Sequence, residues 1–341
     1  MLRFLTAGES HGEALITIIE GMVANLPISE AEISAQLERR QGGIGRSERM
    51  KLEKDRANIL SGVRAGKTIG SPITIIIENV DSKDRTEVVT ELRPGHADLA
   101  GVIKYNQTDI RNILERASAR ETASRVAAGA VFRKFLSEFG IILESKVVSI
   151  GGEKDESKWD ALVKQTETLG DSLGGVFEIV ISGAPAGLGS HVHFDRKLDG
   201  RLAQAIMSIQ AIKGVEIGLG FAVADKKGTQ MHDEIFYKDK KYFHKTNNAG
   251  GIEGGMSNGE PIIIKAAMKP IATVKKPLNS VDIDTKEPCK AHFERADVCA
   301  VHAAAVIGES AAAFVIADAF LEKFGGDSLE ETKTHFNSFV V

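Results

Sequence analysis

Residues 300–321 read AVHAAAVIGESAAAFVIADAFL and form the longest apolar stretch of the chain. His302, Glu309 and Asp318 lie within it, and each of these side chains would be costly in a lipid bilayer. We therefore expect a helix that is buried inside the protein and does not cross a membrane.

Helix and strand patterns alternate irregularly upstream of this segment. Ser29 and Glu32 match the S-x-x-E pattern of a capping box, which predicts a helix that ends at residues 41–43. A long helix is expected over residues 117–140, with Gly140 just beyond its end, and another over residues 196–214. β-branched runs predict strands, at residues 14–21, 71–80, 141–150, 175–183 and 259–268.

This order of elements predicts the fold class. Single helices do not separate the strands evenly, as a doubly wound sheet would require, so we expect an α+β architecture. No linker rich in proline or charge and no short repeat divides the sequence. We expect one domain over residues 1–341.

Composition limits the classes of function. The 341 residues are 43% hydrophobic and 26% charged, as in an ordinary soluble globular protein, and the formal net charge of −4 argues against a general nucleic-acid binder. Cys289 and Cys299 lack C-x-x-C spacing, which favours reduced thiols in a cytosolic protein. The N-terminus lacks the pattern of a signal peptide. We expect a cytoplasmic protein with a local anion site.

The stretch GESHG, residues 8–12, matches the G-x-S-x-G pattern of hydrolases that use a serine nucleophile. That chemistry needs a strand before Ser10 and a helix after it. The residues LRFLT can form the strand, but the β-branched residues 14–21 disfavour the helix. A serine hydrolase built on Ser10 remains an alternative, and the role of His11 between two glycines remains open.

A glycine loop at residues 38–51 is crowded with arginines, which are Arg39, Arg40, Arg46 and Arg49. One interpretation is a solvated charged loop, because Glu48, Glu53 and Asp55 lie nearby. The other is an anion clamp, since guanidinium groups bind carboxylate and phosphate in a bidentate manner. An RNA-binding surface on this loop is a third hypothesis.

Two further loops carry arginine beside a titratable group. Arg93 and His96 flank Pro94-Gly95 in LRPGHADLAG, where a histidine is either structural or reactive. Arg295 and Asp297 precede the core helix, so Asp297 is a candidate for its N-cap.

Two other stretches have weaker signals. Arg116, Ser118 and Arg120 fall at or just inside a predicted helix N-terminus, where backbone N–H groups favour anions. His191 and His193 would share one face of a strand, as in a metal site, but no third ligand is apparent and we expect no metal. Neither a dinucleotide-binding nor a P-loop pattern is present. The residues alone indicate an α+β enzyme that handles a polyanion.

The motifs taken together resemble the chorismate synthase family. They are GESHGEALITIIEGM, RRQGGIGR, RPGHADLAG, SARETASRVAAGA, GGIEGGMSNGEPI, KPLNSVDIDTKEP and RADVCAV, in family order over essentially the whole chain. The resemblance implies a β-α-β sandwich with helices between antiparallel sheets, usually in a homotetramer. It also implies a lyase that closes the shikimate pathway towards the aromatic amino acids, by 1,4-anti elimination of phosphate from 5-enolpyruvylshikimate 3-phosphate.

The resemblance further implies reduced FMN as cofactor, with no net redox change. Some members reduce their flavin with NADPH. The chain is short and has no large insertion, so we expect dependence on an external flavin reductase or another reductant.

Site residues follow from the resemblance by position. His11 matches a histidine that protonates the reduced flavin, His96 one that protonates the departing phosphate, and Asp297 a carboxylate near flavin N5. The substrate arginines match Arg40, Arg46, Arg49, Arg93, Arg120 and Arg295. The FMN contacts match Arg116, Ala117, Ser118, Gln210, Ala211, Gly254, Lys269, Pro270, Ile271, Ala272, Thr273 and Arg295.

Three positions depart from the family pattern. Glu48 adds a negative charge within the arginine loop, Ala117 replaces a serine, and Gln210 replaces an asparagine. Gln210 keeps the amide but extends it by one methylene, so its amide group lies further from the backbone than that of the family asparagine.

Overall fold

A computed structural model describes residues 1–46, 54–80, 82 and 87–339. The first of its two four-stranded antiparallel sheets is formed by residues from the N-terminal quarter of the chain. Its strands, in spatial order, are β1 (Arg3–Ala7), β2 (Ala14–Glu20), β6 (Ile73–Glu78) and β3 (Ala57–Ser61). The β-branched runs predicted at 14–21 and 71–80 thus form the two central strands.

The second four-stranded antiparallel sheet comes from the middle of the chain. Its strands, in spatial order, are β7 (Ile142–Ile150), β8 (Gly175–Ser182), β14 (Ile262–Met268) and β9 (Ile212–Ile217). In β14 the burial alternates strictly along the strand, so Ile262, Ile264 and Ala266 face the core.

The described helices are α1 (Glu30–Gln41), α2 (Asp98–Tyr105), α3 (Arg111–Ala117), α4 (Thr122–Ser137), α5 (Trp159–Thr168), α6 (Leu198–Met207), α7 (Gly228–Met231), α8 (Val301–Phe324) and α9 (Leu329–Ser338). Helices α1, α4 and α8 pack against one another between the two sheets. Helix α4 contacts β1 and β2 of the first sheet and β7 of the second, and α8 packs on α4, β7 and β8. This arrangement confirms the α+β class and the sandwich of helices between antiparallel sheets.

Short hairpins and helical turns complete the described fold. The hairpins pair β4 (Val63–Arg64) with β5 (Lys67–Thr68), β10 (Ile235–Lys238) with β11 (Lys241–His244), β12 (Ile252–Glu253) with β13 (Met256–Ser257), and β15 (Asn279–Val281) with β16 (Pro288–Lys290). The 3-10 turns span Ala119–Glu121, Glu156–Lys158, Phe194–Arg196 and Gly220–Asp225.

Helix α8 is the core helix predicted from residues 300–321. It is long and apolar enough to cross a membrane by composition, but 78% of its most apolar window is buried within the fold. Glu309 at its centre accepts hydrogen bonds from Arg39 and Arg133. Glu309 is therefore paired inside the protein, and the burial of the helix that the sequence predicts is confirmed.

Helix α1 begins as the sequence predicts. The Ser29 hydroxyl accepts a hydrogen bond from the Glu32 backbone at 3.3 Å, and the Glu32 carboxylate accepts one from the Ser29 backbone at 2.9 Å. This capping box satisfies two N–H groups at the start of the helix.

Three predictions of local structure are wrong. Residues 117–140 do not form one helix, because Ser118 is extended and its hydroxyl caps a 3-10 turn before α4 begins at Thr122. The helix predicted over 196–214 ends at Met207, and Ile212 begins β9 because it pairs with β14. His191 and His193 are exposed in a loop and not on a strand.

Candidate active site

The glycine turn at residues 8–12 joins β1 to β2. Gly8 has φ of +101°, and a Cβ added there would lie 2.3 Å from the carbonyl oxygen of Ala14, so the turn requires glycine. The amide of Asn79 donates to the carbonyls of Glu9 and Gly12 at 3.1 and 2.8 Å. These bonds hold the turn in one shape.

His11 extends from this turn onto helix α3. Its backbone N–H donates to Glu115 Oε2 at 2.9 Å, and its Nδ1 lies 3.0 Å from both carboxylate oxygens. Burial alone would raise the pKa of Glu115, but the hydrogen bond and the charge of His11 lower it. An ionised Glu115 favours the tautomer with the proton on Nδ1, so His11 would exchange a proton with a ligand through Nε2.

Ser10 has the surroundings of a turn residue. Strand β2 follows the turn where a nucleophile elbow needs a helix. The backbone N–H of Ser10 donates to the Glu115 carbonyl at 3.0 Å, and its hydroxyl lies 3.3 Å from that of Ser118. This geometry removes the structural basis for a serine hydrolase.

Arg40 and Arg120 meet at Asp55. Arg120 Nη1 donates to both oxygens of Asp55 at 2.7 Å, and Arg120 Nε donates to Asn79 Oδ1 at 3.0 Å. Arg40 Nη1 lies 3.8 Å from Asp55, while its Nε and Nη2 donate to Thr122 Oγ1 and the Ala119 carbonyl at 3.0 Å. Helix α1 and the 3-10 turn before α4 thus point two guanidinium groups at one carboxylate.

Arg40 is surrounded by both cationic and acidic side chains. Burial is the largest cause of its low pKa of about 10; the charges of Arg46 and Arg120 also lower this pKa, whereas those of Asp55 and Asp297 raise it. Arg46 Nη1 donates to Asp297 Oδ2 at 2.5 Å, which joins the glycine loop to the segment before α8. Arg40 Nη1 and Arg46 Nε are buried without a hydrogen-bond partner among the described residues. Such donors fit an anionic ligand.

A second cluster forms in the loop at residues 93–98. Arg93 Nε and Nη2 donate to the two oxygens of buried Asp98 at 2.8 and 3.0 Å, and His96 Nδ1 lies 2.5 Å from Asp98 Oδ1. Burial alone would raise the pKa of Asp98, but hydrogen bonds from His96 and Arg93 lower it far below its usual range. Arg93 Nη1 also donates to Thr273 Oγ1 at 3.3 Å.

The segment 269–273 connects this loop to the second sheet. The Lys269 N–H donates to the Ala211 carbonyl at 2.9 Å, and Ala211 has φ of +69°. A Cβ added at Gly95 would lie 3.7 Å from both Lys269 Nζ and the Ala272 Cβ. A small cleft nearby is lined by Thr273, Arg295 and Asp297, among others.

Hydrogen bonds through Thr6 and Glu121 connect Arg116 with Gln210. Arg116 donates to the carbonyls of Gly8 and Thr6 at 2.8 and 2.9 Å. Gln210 Nε2 donates to Glu121 Oε2 at 3.3 Å, whereas its buried Oε1 has no hydrogen-bond partner among the described residues. An amide oxygen in this state can accept a hydrogen bond from a ligand.

Comparison with known proteins identifies the family. The family model described as chorismate synthase matches residues 2–321. The chorismate synthase of Thermoanaerobacter pseudethanolicus is 59% identical and that of Aquifex aeolicus 54% identical, and the alignments cover 100% and 99% of this chain and 99% and 97% of those proteins. The chain belongs to the chorismate synthase family.

The likeness extends to the tertiary structure. A crystal structure of chorismate synthase superposes with a TM-score of 0.81 at 47% identity, over 98% of this chain and 96% of that chain. The sandwich implied by the resemblance to the chorismate synthase family is therefore confirmed.

Not every predicted site residue of the chorismate synthase pattern joins these clusters. Arg49 and the departure at Glu48 lie outside the described residues. Gly254, with φ of +59°, lies in the exposed turn between β12 and β13, and no described contact links it to the residues above. Ala117 ends α3 directly before Ser118.

Two smaller interpretations need correction. Arg116 and Ser118 do not lie at the start of a long helix, since Arg116 is in the last turn of α3. Asp297 is not the N-cap of α8, because Ala300 occupies that position and Asp297 binds Arg46.

Among the described residues no group of three or more acidic, histidine or cysteine side chains could hold a metal.

The structure also bears on the other interpretations of the arginine loop. Arg39 donates from Nη1 and Nη2 to Glu309 at 2.8 Å, and the side chain of Arg40 is buried. Arg39 thus pairs with a buried carboxylate although its side chain is 40% exposed, and Arg40 is buried in the chorismate synthase fold, so Arg40 belongs neither to a solvated loop nor to an RNA-binding surface.

Sequence reasoning missed the acidic partners. Glu115, Asp98 and Asp55 each orient a predicted histidine or arginine, and Asn79 links the glycine turn to Arg120. Glu115 directly precedes Arg116, and Asp98 follows His96 by two residues. Their position inside the motifs was therefore a usable signal. The sequence indicates Asp55 only as a charge near the arginine loop, and Asn79 had no such signal.

Proposed function

We propose that this protein is a lyase that converts 5-enolpyruvylshikimate 3-phosphate to chorismate by 1,4-anti elimination of phosphate, at the end of the shikimate pathway. The observation that carries this proposal is a pair of buried guanidinium atoms, Arg40 Nη1 and Arg46 Nε, for which the described part of the chain provides no hydrogen-bond partner. The substrate has two carboxylates and a phosphate, and it would supply acceptors for these donors. Arg93, Arg120, Arg295 and Arg49 complete the proposed substrate set.

His96 is the proposed general acid for the departing phosphate. Asp98 engages Nδ1 at 2.5 Å, so the imidazole would deliver a proton from Nε2. The acid form of the ring carries a proton on both nitrogens, and Asp98 accepts the hydrogen bond from Nδ1. Arg93, bound to the same carboxylate, holds the loop in place.

His11 and Asp297 are the proposed proton carriers on the cofactor side. Glu115 fixes the ring of His11 through Nδ1, which directs Nε2 to a ligand. Asp297 accepts a hydrogen bond from Arg46, and this charge-assisted bond keeps Asp297 Oδ2 in one position. Each group would hold or receive a single proton during turnover.

The residues fit a flavin cofactor, which we propose to be reduced FMN. Gln210 Oε1 is a buried acceptor that lacks a donor among the described residues, as expected for an atom that binds a ring N–H. Ala211, Gly254, Lys269 to Thr273, Arg295 and residues 116–118 are the other proposed contacts. When bound, reduced FMN would lend an electron to the substrate and recover it.

We propose that the flavin is reduced by an external flavin reductase or another reductant and not by this chain. The support is that no large insertion separates the family motifs within the sequence. NADPH oxidation by the purified protein with FMN would contradict this proposal.

We also propose a homotetramer. Leu5 and Ile18 lie opposite each other in β1 and β2, and both are exposed, as is Leu60 in β3. An exposed apolar face on a sheet favours association with another subunit. Sedimentation velocity should give the tetramer mass, and a monomer would contradict the proposal.

The remaining proposals concern organisation and location. Residues 1–341 would act as one domain, since the larger of two apolar clusters extends from Leu2 to Leu329 and the smaller one is confined to residues 89–114. Cytoplasmic location is supported by the free thiols of Cys289 and Cys299.

The decisive experiment is anaerobic. Purified protein is mixed with 5-enolpyruvylshikimate 3-phosphate and chemically reduced FMN, and chorismate and phosphate are followed together. Equal release of both, absent with oxidised FMN, is expected. If the ligands bind but no product forms, the departures at Glu48 and Gln210 are the first suspects; if nothing binds, the proposal is wrong.

A further inference from the structure

A β-bulge places Lys213 at the end of the second sheet. Strand β9 pairs with β14 so that Gly214 faces Ala267 and Ile212 faces Met268. Lys213 is therefore an extra residue between two paired positions. A bulge bends its strand and redirects the side chain of the extra residue.

Lys269 lies beside this bulge. It directly follows Met268, the residue that pairs with Ile212, and its backbone N–H donates to the carbonyl of Ala211 at 2.9 Å. Its ammonium group lies against Gly95, within 3.7 Å of where a Cβ on that glycine would be. Gly95 precedes His96, so the lysine side chain reaches the loop that carries the proposed general acid.

The two ammonium groups repel each other. Burial, and next the charge of Lys213, lower the pKa of Lys269. Neither lysine forms an ion pair with a carboxylate of the described residues, whereas Lys265 on the same strand β14 lies 3.9 Å from Glu178. A like-charge pair at the edge of an active site is stabilised when an anion binds between its members.

We infer that Lys213 and Lys269 together bind the phosphate monoester of a ligand. This inference rests on the proposed function and adds Lys213 to its site. A phosphate monoester fits better than a carboxylate because it carries nearly two negative charges and three acceptor oxygens, which can meet two ammonium groups at once. Two phosphate monoesters are available to this site, that of FMN and that of 5-enolpyruvylshikimate 3-phosphate.

The test compares each phosphate ligand with its dephosphorylated form. Binding of oxidised FMN and of riboflavin is measured by flavin fluorescence, and binding of the substrate and of 5-enolpyruvylshikimate by calorimetry. The proteins are the wild type, Lys213→Gln, Lys213→Arg and, as a matched control, Lys265→Gln. Thermal unfolding of each variant verifies that it is folded.

One of two patterns is expected. If the site binds the flavin phosphate, Lys213→Gln lowers the affinity for FMN about ten- to a hundredfold and leaves the affinity for riboflavin unchanged. If it binds the substrate phosphate, the same loss appears for the substrate and not for 5-enolpyruvylshikimate. Lys213→Arg retains most of the affinity for the phosphate ligand. Lys265→Gln changes the affinity for neither FMN nor the substrate.

Two results would overturn the inference, and they differ in what else they affect. In the first, the folded Lys213→Gln protein binds FMN and the substrate as tightly, relative to their dephosphorylated forms, as the wild type does. Lys213 is then not part of the phosphate site, but the proposed function stands if the wild type forms chorismate. A wild type that binds neither phosphate ligand overturns the inference and the proposed function together.

Discussion

The imidazole Nδ1 of His96 lies 2.5 Å from Oδ1 of Asp98, a carboxylate with no exposed surface. Arg93 donates two further hydrogen bonds to the same carboxylate, which keeps it ionised. The proton of the neutral imidazole is therefore held on Nδ1, and Nε2 is the atom that can exchange a proton with the substrate. The reactivity of His96 thus depends on a neighbour two residues away.

Replacement of His96 by alanine should lower turnover more than substrate binding. Loss of a general acid reduces kcat by about a hundred- to ten-thousandfold, while KM changes little. Steady-state chorismate formation under anaerobic conditions measures both constants. His193→Ala is the control, because His193 is exposed and pairs only with exposed Asp195 in the described structure. A raised KM with normal kcat would contradict the assigned role.

Replacement of Arg46 by alanine should chiefly weaken substrate binding. The buried Nε of Arg46 has no partner among the described residues, so we expect it to bind the substrate anion, and its loss should raise the dissociation constant about ten- to a hundredfold. Calorimetric titration measures this constant. Arg3→Ala, which removes an exposed ion pair with Glu20, should leave it unchanged. Normal affinity with a low kcat would reverse the assignment.

Asp98 should make the stability of the protein depend on pH. The pKa of Asp98 in the folded state lies well below the ordinary value of 3.8. Its contribution to the free energy of unfolding is therefore complete above pH 3.8 and is lost as the pH falls towards the lower pKa of the folded state. Asp98→Asn should therefore reduce the free energy of unfolding by about 3 kcal/mol at pH 7, and by less as the pH falls below about 4. Urea denaturation at several pH values measures the difference. An equal loss at every pH would show that ionisation of Asp98 does not contribute.

Gly129 allows helices α4 and α8 to approach closely. A Cβ at this position would lie 2.3 Å from the Cβ of Ser310, so Gly129→Ala must push the helices apart and should destabilise the protein by about 1–3 kcal/mol. Gly200→Ala is the matched control, since Gly200 is exposed in α6 and a Cβ there would come no closer than 3.9 Å to another residue. In this control the free energy of unfolding should rise by about 0.5–1 kcal/mol, because alanine favours a helix more than glycine does. Similar effects of both variants would contradict the close packing.

Glu309 holds a buried ionic cluster together. It accepts hydrogen bonds from Arg39, Arg133 and Ser145 in the middle of α8. Glu309→Ala leaves two arginines without their partner and should destabilise the protein by about 3–5 kcal/mol in chemical denaturation. The exposed pair of Glu20 and Arg3 provides the comparison, with an expected loss below about 1 kcal/mol for Glu20→Ala. If Glu309→Ala costs no more than Glu20→Ala, the cluster does not stabilise the fold.

Much of the fold follows from local sequence. The capping box at Ser29, the β-branched runs of β2 and β6 and the apolar helix α8 all lie where the pattern predicts. In each of these segments the backbone preference and the burial pattern agree. The arginine and histidine motifs also indicate a polyanion site through their residue types alone.

Local sequence failed where a distant contact decides the conformation. Residues 117–121 look helical, yet Ser118 bends the chain so that α3 can present Glu115 to His11 and the following turn can present Arg120 to Asp55. Ile212 follows a helix-like stretch but joins β14, about fifty residues further along the chain. Pairing across a sheet overrides a weak helical preference.

The sequence by itself therefore determined several of the longer elements, the α+β class and the residue types that can bind an anion. Only the tertiary structure decided which carboxylate meets each cationic side chain, as in the pairs of Arg46 with Asp297 and His11 with Glu115. The physical reason is one of range. Helix caps and burial periodicity depend on residues a few positions apart, whereas an ion pair depends on two segments that only the folded chain brings within hydrogen-bond distance.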